Sequence, residues 1–266
     1  MTPLPSLFLS HGAPNLVLGD TPSRAFLGNL SALLPFQPQA IVMVSAHWET
    51  TQPTVSAPTA NETIHDFGGF EPELYRLRYP AAGSPKIAQR IVALGKAAGV
   101  HIDTDVNRGL DHGAWVPLLL AWPDADIPVI QLSVQTRAGV DHHFTIGSLL
   151  EPLRHEGVLI IGSGSFTHDL RSYVPHRHTA EAAEPEWVSK FADWMDDAII
   201  AGDRAALSDY RRRAPEAVRN HPTEEHLLPL FVAMNAGGGT DGGDARRLHR
   251  STTHGVLRMD AYAFGG

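Results

Sequence analysis

Two periods of hydrophobic and polar positions alternate along this chain. Four short runs are almost wholly apolar and rich in β-branched residues: Ser6–Ser10, 40–45, 127–134 and 158–161. Apolar runs of this length predict strands covered on both faces. Between them the apolar residues recur with helical spacing. Thr21-Pro22-Ser23 opens a helix predicted to reach about residue 34. Ser84-Pro85 opens another, to about residue 98, with serine as N-cap and proline in the first turn. A third covers 184–200 and carries Trp187, Phe191, Trp194 and Met195 on one face. Such a stripe reads as core contact rather than a cofactor box. Residues 255–264 alternate in the manner of a strand and fit an added edge strand, antiparallel to the others. Strands alternating with helices predict an α/β sandwich, a central mostly parallel or mixed sheet flanked by helices. No repeat or long linker interrupts the pattern, so a single domain over 1–266 is expected. The glycine-rich stretch 236–243 reads as a flexible surface loop.

Composition narrows the chemistry. The chain has no cysteine, which excludes disulfides, thiolate catalysis, iron–sulfur clusters and Cys-ligated zinc. Its formal charge of −8 comes without a long basic run, so nucleic acid is not an expected partner. The short cluster 211–213 reads as a solvated helix face. No apolar stretch is long enough to span a membrane and no leader pattern opens the chain, so a cytoplasmic home is expected. Histidine is the excess: there are 15. Without cysteine, imidazole is the natural ligand for a transition metal.

Open α/β sheets bind ligands just beyond the carboxyl ends of their strands. His11 and His47 directly follow predicted strands, and His168 lies a few residues beyond a third. One such histidine is usually a satisfied polar core residue; three at equivalent places point to a site. His112 sits in Asp111-His112-Gly113, where glycine permits close backbone approach. His226 follows Thr223, a potential N-cap, near a predicted helix start, and by itself reads as a capping or surface residue. His65 and His254 neighbour segments that could border a pocket. The adjacent pair His142 and His143, together with His155, His176, His178 and His249, has no pattern beyond surface or structural placement. Gly162-Ser163-Gly164-Ser165 resembles a nucleophile elbow, but its serine spacing is wrong, which leaves a Ser–His hydrolase only weakly supported.

Six ordered blocks carry a family resemblance. They are Leu9-Ser10-His11-Gly12-Ala13-Pro14, Val44-Ser45-Ala46-His47-Trp48-Glu49, Ile64-His65-Asp66-Phe67-Gly68-Gly69-Phe70 with Leu77-Arg78-Tyr79-Pro80-Ala81, Leu110-Asp111-His112-Gly113-Ala114-Trp115, Gly162-Ser163-Gly164-Ser165-Phe166-Thr167-His168-Asp169, and Pro222-Thr223-Glu224-Glu225-His226-Leu227. Together they resemble the DOPA-dioxygenase type of class III extradiol ring-cleavage dioxygenases, the LigB-like superfamily, over nearly the whole chain. The resemblance implies one α/β domain and a mononuclear non-haem iron(II) site, where zinc(II) is often found in isolated members. It implies His11, His47 and His226 as metal ligands, His168 as acid and base, and His112 beside the substrate. Many extradiol enzymes use two histidines and one carboxylate; this chain offers His226 where some relatives have glutamate, with Glu224 and Glu225 adjacent. The implied partners are a small aromatic diol, DOPA-like, and O2, and the implied product is a muconic semialdehyde. A homo-oligomer is compatible with the sequence. Phe67, Phe70 and Tyr79 are candidates to line an apolar slot for the ring, with a plain core role as the alternative. Two rival readings stay open at this level: a zinc hydrolase built on the same histidines, and a non-catalytic metal- or small-molecule-binding protein.

Overall fold

The computed structural model describes residues 2–176, 179–238 and 244–266. Its strands are β1 (Ser6–Ser10), β2 (Ala40–Glu49), β3 (Thr54–Ser56), β4 (Asp103–Asp105), β5 (Val129–Val134), β6 (Val158–Gly164), β7 (Ala245–His249), β8 (Thr252–Thr253), β9 (Leu257–Arg258) and β10 (Ala261–Phe264). Eight form one sheet in the order β4-β3-β5-β2-β6-β1-β10-β7, and β8 pairs only with β9. The inner four strands, β5-β2-β6-β1, are mutually parallel. β3 against β5, and β10 against β1 and β7, are antiparallel. The sheet is therefore mixed, as the alternation of periods predicts; 261–264 supplies an antiparallel strand, but between β1 and β7 rather than at the expected edge, because β7 pairs with its outer side.

Burial explains the continuous apolar runs. All residues of β1, β5 and β6 are buried, since helices cover both faces. One apolar layer lies under the helix His112–Ala121 and includes Leu7, Met43, Trp115 and Ile161. The opposite face packs in two patches. Phe8 joins Phe144, Phe191 and Phe231, while Val42 and Ile160 meet Ile146, Leu150 and Val232. The helix Pro85–Ala97 starts as predicted, with the Ser84 hydroxyl accepting from Ile87 N–H. The helix opened by Thr21 stops at Gly28, and a 3-10 turn, Leu30–Leu33, completes that segment. On Glu186–Ile200, Phe191 and Met195 are buried and both tryptophans half-buried, a core stripe. In the basic cluster, Arg211 bonds the His221 carbonyl, so only Arg212 and Arg213 are solvated. Ala236 closes the helix Leu228–Ala236, Gly237 and Gly238 follow it, and 239–243 of the glycine-rich stretch lie outside the described residues, as does His178. Among the described residues no helix is long and apolar enough to cross a membrane.

Register fixes where strand ends meet. Ser10 pairs with Gly164, and Ser45 with Ser163, so the carboxyl ends of β1, β2 and β6 lie side by side. β2 runs on to Glu49, with its pairing to β5 interrupted between Val44 and Glu49. His47 thus lies within an irregular strand extension rather than after the strand.

Candidate metal centre

All five histidines named for a site converge at these strand ends. His11 follows β1, and its backbone N–H donates to the Gly164 carbonyl. The His11 and His47 Nε2 atoms are 3.0 Å apart, and those of His47 and His226 are 3.3 Å apart. His112, at the start of its helix, packs its ring 3.9 Å from that of His47. His168 joins from the loop after β6, with its ring stacked 3.4 Å from that of His226.

His226 arrives by a different route from the one expected. Thr223 is no N-cap: its hydroxyl donates to Glu225, and the helix begins only at Leu228. His226 instead sits in the preceding turn, pinned to the sheet because Ser165 N–H donates to its carbonyl, 2.9 Å away. That carbonyl lies where a side chain on Gly164 would be, so the turn can approach β6 only because this position is glycine. Glu225 and Glu224 diverge. Glu225 accepts from His226 Nδ1, 3.0 Å away, while Glu224 accepts from the Tyr210 hydroxyl.

Hydrogen-bond accounting assigns the ring protons. The Ser163 hydroxyl has one proton, and it goes to the Gly113 carbonyl, 2.5 Å away. Its oxygen must then accept from His11 Nδ1–H, 3.0 Å away. Glu225 can only accept, so His226 also carries its proton on Nδ1. His47 turns Nδ1 toward the Asp66 carboxylate, 3.5 Å away. All three rings therefore present unprotonated Nε2 atoms to one another. Three lone pairs, with that of His47 3.0 and 3.3 Å from the other two and all within 4.8 Å, cannot satisfy each other; a shared cation can. Metal–imidazole bonds of about 2.0–2.1 Å fit these separations, so the donor set suits a metal ion. Burial, then repulsion from neighbouring imidazoles, holds His11 and His226 well below the usual histidine pKa, and His47 at about 4. The rings stay neutral, as ligands must.

The same accounting disposes of a serine nucleophile. Ser163 accepts a hydrogen bond from His11 and donates its own proton to the Gly113 carbonyl, not to an imidazole, and Ser165 donates to the Thr167 carbonyl.

Beside the histidines lies a cavity of about 450 Å³. Its far wall is apolar, with Phe67, Phe70, Leu170, Val174 and Leu257. Phe67 and Phe70 meet edge to face, centroids 5.5 Å apart. Tyr79 does not line it, which corrects the expectation of a slot residue. It is fully buried in the core layer, where its hydroxyl donates to the Trp122 carbonyl. His65 and His254 also stay outside, bonded to the backbone of Leu77 and His176. Burial first, then the charges of His221, His47 and His112, lowers His168 to about 3, so this ring enters the cavity neutral. Asp66, Ser163 and Glu225 face the outer nitrogens, a role absent from the sequence expectations, where Ser163 is only a weak nucleophile candidate and Glu225 only a carboxylate beside His226. Only spatial contact reveals that role, although all three lie inside the family blocks.

Comparison with known proteins gives the family. Residues 7–259 match the family described as the catalytic LigB subunit of aromatic ring-opening dioxygenase. The 4,5-DOPA dioxygenase extradiol of Beta vulgaris is 42% identical over 262 residues, 97% of this chain and 96% of the relative. A protein of the same name from Escherichia coli K12 is 38% identical over 90% of this chain and 88% of its own length. A crystal structure of an uncharacterized Escherichia coli K12 protein superposes with a TM-score of 0.81 at 32% identity, covering 98% of this chain and 100% of that one. This chain belongs to the LigB family and is an extradiol aromatic ring-opening dioxygenase.

Proposed function

We propose that His11, His47 and His226 hold iron(II), and that the enzyme opens a catechol ring with a DOPA-like side chain next to its hydroxyls, giving a muconic semialdehyde. One observation carries this reading: three imidazole lone pairs converge at the foot of an apolar cavity wide enough for one aromatic ring. The names of the relatives support the substrate class. Bound iron(II) supplies one-electron chemistry with dioxygen, which zinc, having no redox chemistry, does not.

The protein's own part is binding, orientation and proton handling. Phe67 and Phe70 hold the ring by its faces and edges and exclude water from it. His168, neutral and stacked beside His226, accepts a hydroxyl proton from the catechol and returns it as the ring opens, so no net proton is lost. His112 hydrogen-bonds the substrate from the opposite wall. Both atoms of O2 enter the product.

The test is turnover under controlled metal. Protein loaded anaerobically with iron(II) and then exposed to air should consume one O2 per catechol and turn yellow, and the zinc-loaded protein should not. His168→Ala should lower turnover on the order of 100-fold or more while keeping its iron. Silence of the iron-loaded enzyme toward L-DOPA, caffeate and simple catechols alike would sink the proposal.

A further inference from the structure

We infer that Asp66 is a positioning residue that sets the direction of His112 and of the metal-side histidine His47 together. This rests on the metal centre proposed above, and it concerns a residue that none of the roles so far includes. Asp66 lies on the segment between β3 and the helix Pro85–Ala97, far along the chain from both histidines. That segment is tied down on one side. Thr63 bridges Leu110, Ile64 N–H donates to the Leu110 carbonyl, and the Trp115 indole donates to the Ile64 carbonyl. The carboxylate is thereby brought over the N-terminus of the helix His112–Ala121.

There it meets two rings at once. Oδ1 accepts from the His112 backbone N–H, 2.9 Å away, the first free donor of the helix. The same oxygen lies 3.0 Å from His112 Nδ1. That nitrogen is buried, and its approach to Oδ1 is off the hydrogen-bond line, with no other partner among the described residues. Oδ2 faces His47 Nδ1 at 3.5 Å. A carboxylate can only accept, so its place beside both Nδ1 atoms favours a proton there on each ring. Their Nε2 atoms are left unprotonated, on the metal for His47 and toward the reactants for His112. One side chain therefore keeps a metal ligand and a substrate-side histidine in matched tautomers, the task that outer-sphere carboxylates perform at metal sites.

The experiment compares wild type with Asp66→Asn, which keeps the acceptor oxygen without the charge, and Asp66→Leu, which removes both. Nitrogen-15 NMR of histidine-labelled, metal-free protein, with His112→Gln to assign the signal, reads the tautomer directly. His112 should carry its proton on Nδ1 in wild type and lose that preference in Asp66→Leu, with Asp66→Asn between them. Zinc(II) titration should show affinity reduced by about 10–100-fold in Asp66→Leu, and less in Asp66→Asn. With iron and a catechol, kcat should fall by roughly tenfold or more, with KM within threefold. If Asp66→Leu does not fold, the intermediate changes in Asp66→Asn carry the test. An unchanged tautomer together with unchanged zinc affinity overturns the inference, even if thermal stability drops, because a purely structural carboxylate predicts that pattern. The spectroscopic and zinc readings need no turnover, so a failure of the dioxygenase chemistry would be seen separately, as an inactive wild type.

Discussion

Two regions of this molecule bury histidines, and they handle them in opposite ways. At the N-terminal end of the helix Gly139–His155, His143 has both nitrogens matched. Nδ1 donates to the Gly139 carbonyl, 2.7 Å away, and Nε2 accepts from Gln135 N–H, 3.2 Å away. At the strand ends, His11 and His226 are buried and His47 half-buried, yet each spends only Nδ1 on the protein and points Nε2 at another Nε2. Both regions show lowered pKa values, about 4 for His143 and for His47 alike, with burial as the main cause. Burial and proton affinity therefore do not separate a structural histidine from a proposed ligand. The unspent lone pair does.

Removing a ring from each region should break the comparison most sharply. His226→Ala or His11→Ala should abolish tight metal binding and activity, a larger loss than the roughly 10–100-fold that outer-sphere partners carry. His143→Ala should leave metal binding intact and lower stability by about 1–3 kcal/mol, because Gln135 N–H loses its acceptor. Metal titration and denaturant unfolding on the same proteins separate the two; weakened metal binding in His143→Ala would collapse the distinction.

Acid probes what the regions share. His143 and His221, each at about 4 when folded, are neutral in the native state and titrate near 6.5 when unfolded. The unfolded chain then binds more protons below pH 6.5, so their contribution to stability is complete above 6.5. It is lost as pH falls toward 4, by at most about 3 kcal/mol per histidine. Unfolding midpoints of metal-free protein between pH 7 and 4 should show this decline, and His143→Gln should flatten it by one histidine's share. A flat profile in wild type would contradict neutral burial.

The smallest effect sharpens the assignment of protons at the strand ends. Ser163→Ala removes the acceptor for His11 Nδ1–H and should weaken zinc binding by about 10–100-fold, with little effect on His143. Unaltered affinity would mean that His11 holds its tautomer without Ser163.

The local chain decided much of this. Apolar runs covered on both faces marked β1, β2, β5 and β6, because a strand buried on both sides leaves that signature in its own residues. Histidines placed at their carboxyl ends were legible for the same reason, as were the start of Pro85–Ala97 and the antiparallel strand 261–264. The six blocks of family resemblance carried His226, which periodicity alone would have left as a surface or capping residue.

What the tertiary structure alone decided depends on contacts between distant segments. The turn of His226 reaches the sheet because Gly164 leaves room for its carbonyl. Tyr79 belongs to the core because Trp122 offers a carbonyl there, which nothing in the residues around Tyr79 announces. Asp66 meets His112 across 46 residues. Local periodicity was enough to bring His11, His47 and His168 close to the ends of regular strand pairing, although the extension of β2 past His47 was not legible in it. Which nitrogen each ring keeps free was decided only in three dimensions, because the partner that takes the other nitrogen comes from elsewhere in the fold for His11 and His47, and for His226 depends on which of two adjacent glutamates turns inward.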